Sequence, residues 1–480
     1  MNIVKNISHI AINPRTSAIF FFGIVLLCAA VFSTVYPFQI ICISFAATAM
    51  LLFVLKTELS YYFLLLLLHV SSIMFISEYH KKAYLLTLGE VFIGVVFLLW
   101  CLSRAINLTS PYPKTSCDVP IVFFVGLSLL SFFWSEDHIP WTYQLIKLVC
   151  GLGAFFLTIV CVNNHKILNT VIWFLIVMGV LNSITCFVAI YTYPHYSYSN
   201  IISADNLSLI TIFNDKAVVG KRGHAFAHPL TTAYWLNFAL MLSFGKLLTL
   251  HGYKKLTLVM IMFLMLTAHM TTLSKTPLAS LIAGIIFFFY ASKKIRKVFF
   301  ISATAFLIIV VVSFILANIT DLENSTRYTY NQVSGYNEYS STTSRMNWWK
   351  ASIEKSIEFY GFGVGLGGIP KHLRPSTTPH SHNVYVNTFG DLGFIGLGLL
   401  LLIFFLAAKT YVTAYRQCKS EYYRHILLAY ISGFVIMLLF ILTDYDYTAI
   451  IMWWYMGLGF AIAKLAAEAP PEFRIGVSRS

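Results

Sequence analysis

Long apolar runs separated by short polar connections dominate this chain. A membrane-crossing helix needs about 20 mostly apolar residues, within a range of about 17–25. Fourteen stretches fit that pattern: 17–35, 38–55, 60–77, 84–103, 119–134, 141–162, 167–190, 230–250, 255–273, 276–292, 298–318, 384–408, 426–443 and 448–466. Two are short and read equally as re-entrant or tilted neighbours, which leaves twelve or thirteen crossings as the alternative. The pattern therefore predicts an all-α polytopic membrane protein with about 12–14 transmembrane helices. Two polar stretches interrupt the series, one at about 191–229, rich in Tyr, Asn and Asp, and a larger one at 319–383. Within the second, Ser344 to Tyr360 places Trp348, Ala351 or Ile353, Ile357 and Phe359 at roughly helical spacing, with Lys and Glu between them. That predicts an amphipathic helix capped by Ser344 and lying along the membrane surface. Glycines 361, 363, 365, 367 and 368 end it in a tight loop. The organisation is thus 1–318 for helices one to eleven, 319–383 for the large loop, 384–467 for the last three helices, and 468–480 for a short tail.

Composition agrees. Of 480 residues, 58% are hydrophobic and only 11% charged, against roughly 25% charged in soluble domains. A water-soluble multidomain enzyme is excluded. The net charge of +14 invites a nucleic-acid reading, but Lys and Arg gather on cytoplasmic loops of membrane proteins and set their orientation. With the N-terminus in the cytoplasm, 20 of the 33 basic residues fall on that side, including the cluster Lys293, Lys294, Arg296 and Lys297. Only Lys81 and Lys82 clearly break the rule. Both termini are expected in the cytoplasm, both polar stretches outside, and no nucleic-acid partner. The run after Lys5 and Arg15 lacks a small-residue cleavage site and reads as a first span, not a signal peptide. Eight cysteines without metal-ligand or redox spacing predict no disulfide framework.

Ionisable groups at a membrane boundary are costly, so each is a functional hypothesis. Four stretches fall on the outer face. Gly220 to Pro229 carries Lys221, Arg222, His224 and His228, which alternatively anchor lipid phosphates. Thr272 to Pro277 carries Lys275, which alternatively snorkels from a tight turn. Arg345 opens the amphipathic helix, where the helix dipole disfavours a cation unless it meets an anion; otherwise it is a solvated arginine. His380-Ser-His382-Asn383 precedes a span containing Asp391, Gly393 and Gly396. Histidines two apart do not build a His-Glu-x-x-His zinc site, and no carboxylate cluster completes one. Imidazole suits acid–base work, while Asn383 and Ser381 suit helix capping. Together, three cations and a histidine at one face describe a pocket for a phosphate or diphosphate. No Gly-x-x-x-x-Gly-Lys loop is present, and Gly361 to Gly368 follows no strand. No metal is expected.

These residues resemble the O-antigen ligase and polymerase superfamily, bacterial inner-membrane glycosyltransferases of the GT-C type. The family's motif is His, then Asn, Ser or Gln, nine residues, Gly, two residues and Gly. His382-Asn383, nine residues, Gly393 and Gly396 fit it, and Arg222 to Pro229 resembles a second block. The resemblance spans roughly residues 210 to 400. One departure is Lys275 in a block that more usually carries arginine. Lysine neutralises phosphate as a point charge without bidentate chelation.

The resemblance implies a periplasm-facing, metal-independent, inverting transferase without cofactor. Its donor would be an undecaprenyl-diphosphate-linked glycan. Its acceptor would be a lipid A–core sugar in a ligase, or a lipid-linked chain in an O-antigen or exopolysaccharide polymerase. Arg222, Arg345 and Lys275 would stabilise the diphosphate. His382 would orient or deprotonate the acceptor hydroxyl or bind the phosphates, and Lys221, His224, His228, His380 and Asn383 would line the site. The competing readings are a transporter or flippase of envelope glycans, and a non-catalytic envelope protein. A transporter would place its charges near the midplane and show repeats, and neither feature is seen here.

Overall fold

The structure is a computed structural model and describes residues 57–70, 88–106, 114–192, 229–292, 341–373, 381–443 and 447–470. Its elements are helical: α1 (Thr57–Val70), α2 (Leu88–Ile106), α3 (Asp118–Leu130), α4 (His138–Cys161), α5 (His165–Thr192), α6 (Pro229–Leu247), α7 (Gly252–Thr271), α8 (Lys275–Ala291), α9 (Ser341–Glu358), α10 (Val384–Gln417), α11 (Glu421–Phe440) and α12 (Ile450–Glu468). Short 3-10 turns follow α3 at Ser131–Phe133 and precede α10 at Ile369–His372. No strand occurs among the described residues. Eleven of the fourteen apolar stretches each overlap one of these helices; 17–35, 38–55 and 298–318 lie outside the described residues.

Six described helices, α4, α5, α7, α10, α11 and α12, are long and apolar enough to cross a membrane, and α2, α3 and α8 are shorter apolar helices. Several carry an outward apolar stripe. Leu256, Met260 and Phe263 are exposed on α7, and Ile282, Ile286 and Tyr290 on α8, at three- and four-residue spacing. Water penalises contiguous apolar surface of this kind, whereas hydrocarbon does not. The chain is an all-α polytopic membrane protein.

The inward helices obey the opposite rule. α6 is buried along almost its whole length, between α5, α7, α8 and α11. It faces protein instead of lipid, so it tolerates Thr232, Asn237 and Ser243, and Asn237 donates to the Pro277 carbonyl at 2.9 Å. α12 packs parallel to α4. A Cβ on Gly151 would meet the Trp453 ring at 2.6 Å, and one on Gly457 would collide with the Phe155 backbone. Small residues facing aromatic rings let these backbones approach closely.

Contacts sort into two ends of the bundle. At one end, Ser116 meets Thr410, Cys117 reaches the Ile403 carbonyl, and Lys246 reaches Asn169 and Tyr422. At the other, Tyr234 of α6 stacks on Phe440 of α11, Val384 N–H donates to the Ile441 carbonyl, and Thr448 donates to Gln144. This second end gathers the N-termini of α4, α6, α8, α10 and α12.

Two of the boundaries that differ from the sequence reading bear on the site. α9 begins at Ser341, three residues before the expected cap at Ser344, and α10 continues to Gln417, well past the expected end at 408. The polar residues Lys409, Thr410 and Arg416 continue the helix because extending a helix already formed adds one hydrogen bond for each residue fixed.

Candidate active site

α10 is one helix by hydrogen bonding but two by backbone geometry, because Gly393 has φ 65° and ψ −161° within it. At the break, the glycine loop supplies the missing partners. Val364 N–H donates to the Gly390 carbonyl, Gly365 N–H to that of Asp391, and Phe394 N–H to that of Gly361, all at 2.9 Å. The glycines at 361, 363, 365 and 367 all have positive φ, a conformation that side chains resist. At Gly363 a Cβ would meet the backbone of Asp391 and the Gly393 nitrogen, and at Gly393 it would collide with the Gly361 carbonyl. The glycine spacing thus corresponds to a loop threaded into a broken helix. The loop also rests on the corner between α3 and α4, where Leu366 N–H donates to Ser131 Oγ at 3.1 Å.

The His-Asn pair sits where this segment begins. Asn383 is the N-cap of α10, its side chain accepting from Tyr385 N–H at 3.0 Å and Val386 N–H at 3.1 Å. His382, just outside the helix, has φ 53°. A left-handed histidine stores strain of about 1–3 kcal/mol and is held there only by its surroundings. Those surroundings come from α9. The Trp348 ring stacks on the His382 ring with centroids 5.5 Å apart and planes at 29°. Trp349 Nε1 donates to the Ser381 carbonyl at 2.9 Å, and Ser356 Oγ donates to the Phe389 carbonyl at 2.8 Å. α9 therefore docks through Trp348, Ser352 and Ser356, spaced four residues apart on one face.

This changes the expected character of α9. Trp348, Ala351 and Phe359 pack on Val364, Ile369 and Leu373, while Met346, Ile353 and Ile357 are exposed. The apolar residues form two faces, one for protein and one outward. Arg345 is half-buried, three residues before Trp348, and so on the face that meets His382. It is the fifth residue of the helix, not in the first turn, so the dipole argument made for it no longer applies. That argument passes to Lys275, the exposed first residue of α8, whose N-cap Ser274 makes no side-chain cap.

Lys275 belongs to the same end of the bundle as His382. Asn237 ties α6 to the first turn of α8, Tyr234 ties α6 to the end of α11, and Val384 ties α11 to the start of α10. Arg345, His382, Asn383 and Lys275 thus share one end. Lys221, Arg222, His224, His228 and His380 lie outside the described residues, although Pro229, which directly follows His228, opens α6 at this same end.

Beneath these groups lies a network that reading the chain missed. Asp391, fully buried, accepts from Gly367 N–H and Ile369 N–H, each at 3.0 Å, and from Tyr447 Oη at 2.8 Å. Its one sequence signal was a carboxylate inside an apolar run. Above the loop, Glu136 and Lys371 pair at 2.9 Å. That bond holds the Glu136 carboxyl below its ordinary value and the Lys371 ammonium above its own. Burial lowers the neighbouring His372.

No curated protein matches the chain. Residues 260–401, however, match the family model described as O-antigen ligase. The matched stretch contains Lys275, Arg345, His380, His382, Asn383 and the break in α10 at Gly393, and leaves Arg222 outside. This stretch of the chain is thus similar to the O-antigen ligase family.

Proposed function

We propose that this protein is an envelope glycosyltransferase that moves a glycan from an undecaprenyl-diphosphate carrier to a sugar hydroxyl on the periplasmic face of the bacterial inner membrane, with both termini cytoplasmic. The family match supports glycan transfer of ligase or polymerase type. The observation that carries the finer reading is His382, strained and stacked on Trp348, at the end of the bundle that also holds Arg345 and Lys275. In the proposed reaction the acceptor oxygen attacks the anomeric carbon from the face opposite the diphosphate, so configuration inverts. His382 takes or orients the hydroxyl proton. Arg222, Arg345 and Lys275 stabilise the charge that grows on the departing diphosphate, the step where fixed cations contribute most. Lys221, His224, His228 and His380 complete the donor pocket.

The test uses full-length protein in liposomes with purified lipid-linked donor and candidate acceptor. His382→Ala and Arg222→Ala are expected to abolish transfer while the protein still inserts. Full activity in both variants would overturn the assignment, and donor uptake into sealed vesicles without transfer would establish a transporter instead. The lipid profile of a deletion strain separates the two acceptors. Loss of all polymer from lipid A with donor accumulating identifies a ligase, and single repeat units still reaching lipid A identify a polymerase.

A further inference from the structure

The reading above gives Asp391 no part in the chemistry, yet a buried carboxylate persists only where its hydrogen bonds offset desolvation. Its donors come from separate parts of the chain: Gly367 and Ile369 from the glycine loop, and Tyr447 from the approach to α12. Charged acceptors make stronger hydrogen bonds than neutral ones, so Asp391 clamps these segments around the break in α10. One turn earlier, Asn387 is also buried; its Nδ2 reaches Asp391 Oδ2 at 3.5 Å, and its Oδ1 accepts Ser381 N–H at 3.2 Å. Asn383, Asn387 and Asp391 are four residues apart and form one polar face of the helix. Ser381 directly precedes His382, and its carbonyl is held from the other side by Trp349.

We propose that Asp391 is a positioning residue for His382. The buried carboxylate fixes the glycine loop with one set of bonds. Through Asn387 it also fixes the backbone of Ser381 and so the left-handed turn that presents the imidazole. Asp391 is fully buried and does not touch substrate. The proposal rests on His382 acting in transfer, and it carries a structural consequence that holds whether or not that is so.

The test compares full-length wild type with Asp391→Asn, Asn387→Ala and Tyr447→Phe in liposomes. It measures turnover with the lipid-linked donor, the His382 ring resonance in 13C-histidine-labelled protein (assigned by difference from His382→Ala), and hydrogen exchange at 361–368. In Asp391→Asn the new amide turns a donor toward donors. Turnover is expected to fall on the order of 10- to 100-fold with KM within about twofold, as misorientation acts on the transition state and not on binding. The His382 resonance should move and the loop should exchange faster. Asn387→Ala should move the resonance without speeding the loop, and Tyr447→Phe should speed the loop modestly. Where Asp391→Asn does not fold, the other two variants decide. An unmoved His382 resonance in Asn387→Ala, or in a folded Asp391→Asn, overturns the proposal whatever the activity. Full activity of His382→Ala, by contrast, overturns the catalytic reading and leaves the resonance and exchange measurements to judge the positioning.

Discussion

His382 stacks on Trp348 with ring centroids 5.5 Å apart and planes at 29°, joining the first residues before α10 to the outer helix α9. The contact holds the imidazole on the face of α9 that also carries Arg345, one turn away. Stacked aromatic pairs contribute about 0.5–1.5 kcal/mol beyond their burial. If that contribution orients His382 for reaction, Trp348→Ala lowers turnover about two- to tenfold and Trp348→Phe by less. Steady-state kinetics on reconstituted protein checks the order; equal activity in both variants and wild type removes the contact from the mechanism.

Asn383 caps α10 directly beside His382. Asn and Ser both cap helices well, and Ala does not. Asn383→Ser should retain most stability, whereas Asn383→Ala should cost about 1 kcal/mol and loosen the backbone that carries His382. Thermal unfolding in detergent with parallel transfer assays reads both. An alanine variant as stable as the serine variant would show that the two side-chain bonds at 3.0 and 3.1 Å do not matter.

Gly393 and Gly398 sit on the same helix and should respond oppositely to alanine. At Gly393 the new methyl meets a positive φ and the Gly361 carbonyl, which cannot retreat without breaking its bond from Phe394. At Gly398 it meets open space. Gly398→Ala should be neutral or stabilise by about 0.5–1 kcal/mol. Gly393→Ala should lose at least the roughly 1–2 kcal/mol of left-handed strain, with lower yield of monodisperse protein and loss of transfer.

The corner of Glu136, Lys371 and His372 predicts acid sensitivity. The Glu136 carboxyl is held below its ordinary 4.5 by the Lys371 hydrogen bond, so its contribution is present above 4.5 and lost as pH falls through the lowered folded value. Burial lowers His372 below 6.5, so the unfolded chain binds a proton first and stability falls as pH drops below 6.5. Lys371 is raised above 10.5 by Glu136, and its contribution disappears only as pH rises through that raised value. Thermal midpoints measured from pH 7 down should therefore fall less in His372→Gln than in wild type as pH drops below 6.5, and less in Glu136→Gln below 4.5. Parallel curves for wild type and variants would contradict the assignment.

Much of the fold was legible in the chain because hydrocarbon imposes a simple rule on helix length and composition. Eleven apolar stretches overlap helices close to where hydropathy placed them, and the amphipathic segment after Ser341 is a helix. Helix ends were less legible. Ser344 resembles a cap, but the preceding Ser341, Thr342 and Thr343 are equally able to begin a helix, and local composition does not choose among them. Asn383 was readable as a cap since its function is local. The partners of Asp391 were not, because Gly367 and Tyr447 lie 24 and 56 residues away.

By itself the sequence determined that this is an all-helical membrane protein and that His382-Asn383 and Gly393 form a spaced motif. Each is a property of local hydropathy or short-range spacing. Only the tertiary structure decided that α10 breaks at Gly393, that the glycine loop fills the break, and that Trp348 holds His382. It also moved the dipole argument from Arg345 to Lys275. These depend on backbone groups that find no partner within their own helix and are satisfied by segments distant in sequence, a pairing that hydropathy does not encode.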